Sequence, residues 1–185
     1  MAMKNIANLL FEAKMLKEIP RSGYHFLGSG RESVAEHSFM ISFVAFMMAG
    51  METDVDALKL IRMCLVHDLP ESRTGDLNYV QKKYVLADEK KAVEDLIRNI
   101  PFGDSIRDLI DEFNDGKTRE AALAKDADQL SFILELKTLQ DTGRKGPEEW
   151  LPIVLGRLKT DTGKKIAESI MDTNWDEWWK KNYVE

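Results

Sequence analysis

The chain has three histidines, and two of them lie on apolar helical faces, where an imidazole needs a reason. At about 100° of rotation per residue, His37 shares a face with Val34, Ile41, Val44 and Met48, and His67 shares one with Leu60, Met63 and Cys64. Both rings therefore point inward from consecutive helices, either as a hydrogen-bonded core pair or as ligands of one ion. Asp68 weighs toward the ion. It follows His67 at the end of an apolar turn, where a carboxylate meets the negative end of the helix dipole at a cost of up to about 1 kcal/mol. A cation just off the helix end would reverse that cost, and two adjacent residues can both reach it.

A fourth ligand has to come from a distant carboxylate on a buried face. The helix from Arg119 to Asp141 offers Asp126 and Asp128. In projection Asp128 falls between Ala121, Ala124, Phe132 and Leu139 and reads as the more enclosed, whereas Asp126 falls among Arg119, Ile133, Lys137 and Gln140. A buried carboxylate without a partner is too costly to keep, so Asp128 calls for a cation. A salt-bridged surface aspartate is the competing reading. Two imidazoles with two carboxylates suit one divalent manganese, iron, cobalt, nickel or zinc ion and leave positions open for water and a substrate oxygen. A dinuclear centre rich in histidine is disfavoured, because only His25 remains for a second ion.

An ion of this kind acidifies its water and polarises a phosphoryl group. Phosphomonoester hydrolysis also expels a poor leaving group, so carboxyls that move protons are needed nearby. Glu71 and Asp76 lie just after the His67-Asp68 pair. Glu71 suits the proton of the attacking water, and Asp76 suits the leaving oxygen or the placing of the water. A solvated loop residue and a helix cap after Gly75 are the plainer readings of the two. A dianionic phosphate wants an arginine able to donate two parallel hydrogen bonds. Arg21 is the first choice, with Arg31 and Arg73 as rivals. Tyr24 either lines a base or sugar pocket or packs its loop.

The elements that must position these groups read as helices throughout. Ile6, Leu9, Leu10, Ala13 and Leu16 form one stripe over residues 5–19, which Pro20 ends. Ser33 and Glu36 stand in capping-box spacing ahead of a helix that runs to about Gly50. Further helices are expected over residues 54–68, stopped by Pro70, and over 82–99, 104–114, 119–141, 147–159, 163–173 and 175–181. No run alternates with period two between turn residues, so the fold class is all-α.

At 185 residues the chain fits one domain. Apolar residues at 44% and charged residues at 31% mark a folded chain rather than a disordered one. A net charge of -6 argues against a nucleic-acid polymer as partner, while a local basic pocket can still take a small anion. Cys64 is the lone cysteine, so it forms no intramolecular disulfide and reads as a small core residue. The start lacks the pattern of a signal peptide, and the apolar stretches read as too short to cross a bilayer. A cytoplasmic protein is the expectation.

The segments Pro20-Arg21-Ser22-Gly23-Tyr24, Ser33-Val34-Ala35-Glu36-His37, Val66-His67-Asp68-Leu69-Pro70-Glu71 with Thr74-Gly75-Asp76, and Lys125-Asp126-Ala127-Asp128 together resemble the HD family of metal-dependent phosphohydrolases, and within it the 5'-deoxynucleotidase branch. The resemblance implies a single HD-type helical domain over residues 1–185. It implies the metal ligands His37, His67, Asp68 and Asp128, the catalytic carboxylates Glu71 and Asp76, and Arg21 on the phosphate. It further implies hydrolysis of deoxynucleoside 5'-monophosphates by a homodimer. Some relatives carry an aromatic residue directly after the arginine, whereas here Ser22-Gly23 precedes Tyr24. Action on a triphosphate or an alarmone, and a non-catalytic metal-stabilised module, are the alternatives. Residues 160–185 form a helical tail in which Trp175, Trp178 and Trp179 pack on the domain core or on a partner subunit.

Overall fold

The protein is described by a computed structural model over residues 2–183. Among the described residues there are eleven α-helices, one 3-10 turn and no strand, only an isolated bridge between Pro20 and Ser33. In chain order the helices are α1 (Ala2–Met15), α2 (Tyr24–Leu27), α3 (Val34–Met51), α4 (Ala57–Val66), α5 (Glu71–Thr74), α6 (Glu89–Ile97), α7 (Gly103–Asp115), α8 (Arg119–Asp141), α9 (Pro147–Leu155), α10 (Asp161–Asp172) and α11 (Glu177–Tyr183).

The starts follow the capping chemistry written in the sequence. Ser33 accepts from the Glu36 N–H while the Glu36 side chain reaches back to the Ser33 N–H, a complete capping box on α3. Asp56, Asp88, Thr118 and Thr160 cap α4, α6, α8 and α10 in the simpler way. Residues 82–88 depart from expectation. The 3-10 turn Gln81–Lys83 and an extended stretch precede α6, because Asn78 draws the Val80 and Gln81 N–H groups onto its own side chain and Asp88 makes a better cap. Two one-turn helices, α2 and α5, also form where loops are expected.

α8 is the central post. α3, α4, α7, α9 and α10 all pack on it, and α3 lies along α4. Ile41, Met48, Leu60, Met63, Leu123, Leu130, Ile133 and Leu136 meet in the core between them, with Cys64 fully buried among them. A second, smaller core under α6 and α7 gathers Leu16, Val34, Leu69, Leu96 and Ile106.

α3 corrects one expectation. It has the length and apolar composition to cross a membrane, yet its buried side carries His37 and Ser38 and packs on α4 and α8. The outward side is apolar as well, with Phe39, Phe43, Phe46 and Met47 all exposed. Trp175, Trp178 and Trp179 are 42%, 73% and 38% exposed, so none is anchored in the domain core. Trp175 and Trp178 instead flank an apolar groove with Met51, Leu134 and Ile170.

Candidate active site

α3, α4 and α8 bring four side chains to one point. His37, one turn into α3, is fully buried and sets Nε2 2.9 Å from Oδ1 of Asp128 on α8. His67 caps the C-terminus of α4, and Asp68 follows it with Oδ1 3.1 Å from His67 Nε2 and Oδ2 3.8 Å from His37 Nε2. His37, His67 and Asp128 each present a ligand atom within 4.8 Å of the others. The His67-Asp68 corner projects past the helix end because Pro70 prevents α4 from continuing.

The protonation pattern suits a cation. His67 Nδ1 lies 2.9 Å from the Cys64 carbonyl, which only accepts, so Nδ1 carries the hydrogen and the Nε2 lone pair faces Asp68. His37 Nδ1 similarly faces Ser131 Oγ at 3.5 Å and Glu32 Oε2 at 3.8 Å. Its buried Nε2 makes no hydrogen bond despite the nearby Asp128 oxygen. Lone pairs opposed to carboxylates repel unless a proton or a metal ion stands between them. Burial alone would raise the Asp128 carboxyl, but contact with His37 and the Arg21 charge outweigh it and hold Asp128 well below the usual carboxylate range. Burial would also lower His67, and the Asp68 carboxylate overcomes this, so the imidazole is raised above its ordinary value. The donor set therefore fits one divalent transition ion.

Arg21 stands across from this corner. Its guanidinium lies 3.4 Å from Asp68, 3.7 Å from Asp76 and 4.0 Å from Asp128. The loop that holds it is pinned at both ends, by Arg21 N–H to the Glu32 carbonyl at 2.8 Å and Val34 N–H to the Ile19 carbonyl at 2.9 Å. Arg73, one rival, is occupied by Glu12 and Asp95, and Arg31 is an exposed residue near Glu36. Three carboxylates, Asp68, Asp76 and Asp128, thus share one guanidinium. A divalent ion would close that balance.

Asp76 does not cap a helix. Its Oδ2 accepts the Ser22 N–H at 2.9 Å, tying the segment after α5 to the arginine loop. Glu71 opens α5 with Oε2 buried and without a hydrogen-bond partner. Burial, then the charges of Asp68 and Asp76, push its carboxyl up to about 9.

The burial order of the two α8 aspartates is the reverse of the projection. Asp126 is 1% exposed, while the Asp128 side chain is 26% exposed toward the site. Asp126 needs no cation, because it accepts from the N–H groups of Lys159 and Thr160 and from the Thr160 hydroxyl, at 2.6 to 3.2 Å. A projection of α8 alone cannot see α10 arriving with those donors.

Tyr24 lines the cavity beside Arg21, but it is buried, and its hydroxyl points among Glu32 and Glu135 without a hydrogen bond. Burial, then those two carboxylates, raise the phenol well above its ordinary value. Burial and Glu135 likewise push Glu32 up to about 7. Sequence reasoning missed this acidic pair behind His37, and it missed Tyr79, Gln129, Phe132, Trp150 and Arg157. All five border the cavity of about 260 Å³ that opens from Arg21, Asp76 and Asp128. Arg157 had no signal beyond its charge.

Known proteins resemble this chain in sequence and fold. A 5'-deoxynucleotidase HDDC2 from Dictyostelium discoideum is 34% identical over 134 residues, 65% of this chain and 70% of that protein. A conserved hypothetical protein from Pyrococcus furiosus superposes with a TM-score of 0.77 at 28% identity, covering 90% of this chain and 99% of the other. A protein from Magnetospirillum magnetotacticum, described as a predicted metal-dependent phosphohydrolase, superposes with a TM-score of 0.72 at 25% identity over 92% and 91% of the two chains. The HD domain family profile matches residues 13–171, a span that holds all four converging side chains, and the chain belongs to that family.

Proposed function

We propose that this protein is a metal-dependent phosphomonoesterase that hydrolyses deoxynucleoside 5'-monophosphates to deoxynucleosides and phosphate. The observation that carries the reading is the convergence of His37, His67, Asp68 and Asp128 opposite Arg21, with Glu71 and Asp76 on the rim. The named activity of the Dictyostelium relative supports the substrate class.

These four residues would hold one manganese, iron, cobalt, nickel or zinc ion, which supplies an acidified water and Lewis-acid polarisation of the phosphoryl group. Arg21 binds two phosphate oxygens through its fork. Its contacts with Asp68, Asp76 and Asp128 fix the plane of that fork before substrate arrives. Glu71 takes the proton of the attacking water, and the positive charge beside Asp68 opposes the upward push on its carboxyl. Asp76, held at Oδ2 by the Ser22 N–H, would take a proton from solvent on its other oxygen and pass it to the leaving 5'-oxygen, while Glu71 returns its own to solvent. The cavity of about 260 Å³ lies near the lower end of small-molecule sites, which suits one mononucleotide.

The reading includes a homodimer formed through the outward side of α3. Phe39, Phe43 and Phe46 stack along it with ring centroids 6.4 and 6.3 Å apart. A helix apolar on every side belongs in an interior, and a second copy would supply the missing one. Sedimentation of Phe43→Glu should show monomer where the parent chain shows dimer.

Elemental analysis of the purified protein, followed by phosphate release from mono-, di- and triphosphates with each metal, tests the activity. Preference for triphosphates would overturn the monoesterase assignment.

A further inference from the structure

The active-site cavity has two unlike ends. Arg21, Asp76 and Asp128 border one end, and Tyr79, Phe132 and Trp150 wall the other. Trp150 stands edge-on to Phe132 with ring centroids 6.1 Å apart and lies 6.3 Å from Tyr79, whose far side is backed by Phe26 at 4.8 Å. Such a wall offers π-faces to a flat ring. A nucleotide whose phosphate lies at Arg21 extends its base toward it.

Three side chains on the lining, Asn78, Gln129 and Arg157, have donors to offer. Asn78 spends Oδ1 on the Val80 and Gln81 N–H groups at 3.1 and 3.0 Å, which leaves its Nδ2 to donate. Gln129 gives one N–H to Asp128 at 2.8 Å and turns Oε1 to Arg157 Nη1 at 3.5 Å, so its second N–H is left to donate. These bonds fix which way both amides point. Arg157 donates only, lines the cavity, and keeps most of its guanidinium donors outside its one contact with Gln129.

We infer that the aromatic end of the cavity is a nucleobase seat, and that Arg157 with Asn78 reads the purine 6-position or pyrimidine 4-position, selecting the oxo group of guanine and of thymine or uracil over the amino group of adenine and cytosine. At that position donors on the lining match a carbonyl and oppose an amine donor to donor. An arginine facing the adjacent acceptors of guanine is the strongest such match. A donor left facing another donor loses a hydrogen bond, which sets the discrimination at about tenfold. This inference rests on the proposed nucleotidase activity and names its base preference.

The test compares kcat/KM for dGMP, dTMP, dAMP and dCMP in the metal-loaded protein and in Arg157→Ala. Arg157 is exposed, so the substitution leaves the core intact. The parent protein should favour dGMP and dTMP by about tenfold, through KM rather than kcat, and Arg157→Ala should bring the ratio close to one. Equal rates on all four substrates, or a ratio unmoved by Arg157→Ala, would overturn the seat and leave the activity standing. If no deoxynucleotide is hydrolysed, the activity assignment has failed, and calorimetry with the phosphate-free deoxynucleosides decides separately. Tighter binding of deoxyguanosine and thymidine then upholds the seat, and equal or absent binding overturns it.

Discussion

His37 and Asp128 face one another at 2.9 Å across the packed helices α3 and α8, ring nitrogen to carboxylate oxygen, with no hydrogen bond between them. A contact of that kind persists only if a proton or a metal ion lies between the two atoms. Asp128→Asn should therefore cost more than about 100-fold in metal affinity, the range found for weaker outer contacts. In the parent protein, metal at 100 times Kd should stabilise the fold by about 2.7 kcal/mol, and the variant should show no such thermal shift. Elemental analysis beside thermal melts with and without manganese measures both.

Asp126 should behave in the opposite way. Asp126→Ala strands the Lys159 and Thr160 N–H groups and the Thr160 hydroxyl, and should cost about 3 kcal/mol of stability. Metal content per folded chain should stay near the parent value. Denaturant melts read the first effect and elemental analysis the second; loss of metal in this variant would mean the two aspartates are misassigned.

Replacing Glu71 by Gln removes the base without disturbing the four converging residues. Metal content should be unchanged while kcat falls by about 10²- to 10⁴-fold. Single-turnover phosphate release in the metal-loaded variant is the measurement. Activity at the parent level would remove Glu71 from the reaction.

Metal binding should tighten as pH rises. In the metal-free protein His67 is raised above its ordinary value, so protons compete for Nε2 at neutral pH. The raised pKa stabilises the metal-free fold fully below about 6.5, and that contribution is lost as pH climbs through the folded value. Proton competition fades over the same window. Calorimetric titrations at about pH 6 and about pH 8 should differ by at least tenfold in apparent Kd.

Glu32 gives a stability effect of the same sign. Its carboxyl is pushed up to about 7 by burial and by Glu135, so its contribution is intact below about 4.5 and is lost as pH rises through about 7. Glu32→Gln should flatten that limb and stabilise the metal-free protein by roughly 2 kcal/mol above neutrality. Urea melts across the range would show it, and parallel curves for the two proteins would contradict it.

Much of this was legible along the chain because it depends on local chemistry. α8 runs from Arg119 to Asp141 as its stripe demands, and the Ser33-Glu36 box opens α3. The HD-type motif residues meet at one point, as their types suggested. The remainder depends on partners from afar. The order of Asp126 and Asp128 turns on α10, and the exposure of Trp178 turns on what α11 fails to cover. Glu32 and Glu135 become neighbours only when α8 passes behind Tyr24. Arg157 meets Gln129 of α8 only because α9 delivers it just past its end.

Cys64 turns the molecule into its own gauge. It is the sole thiol, fully buried, and its carbonyl steadies His67. Burial also pushes the sulfhydryl up to about 12, which leaves it unreactive while closed. A thiol-directed dye can label it only when the core around α4 opens, so the labelling rate counts those excursions. Any ion that clamps the corner shut will register as slower colour development, without a substrate ever being added.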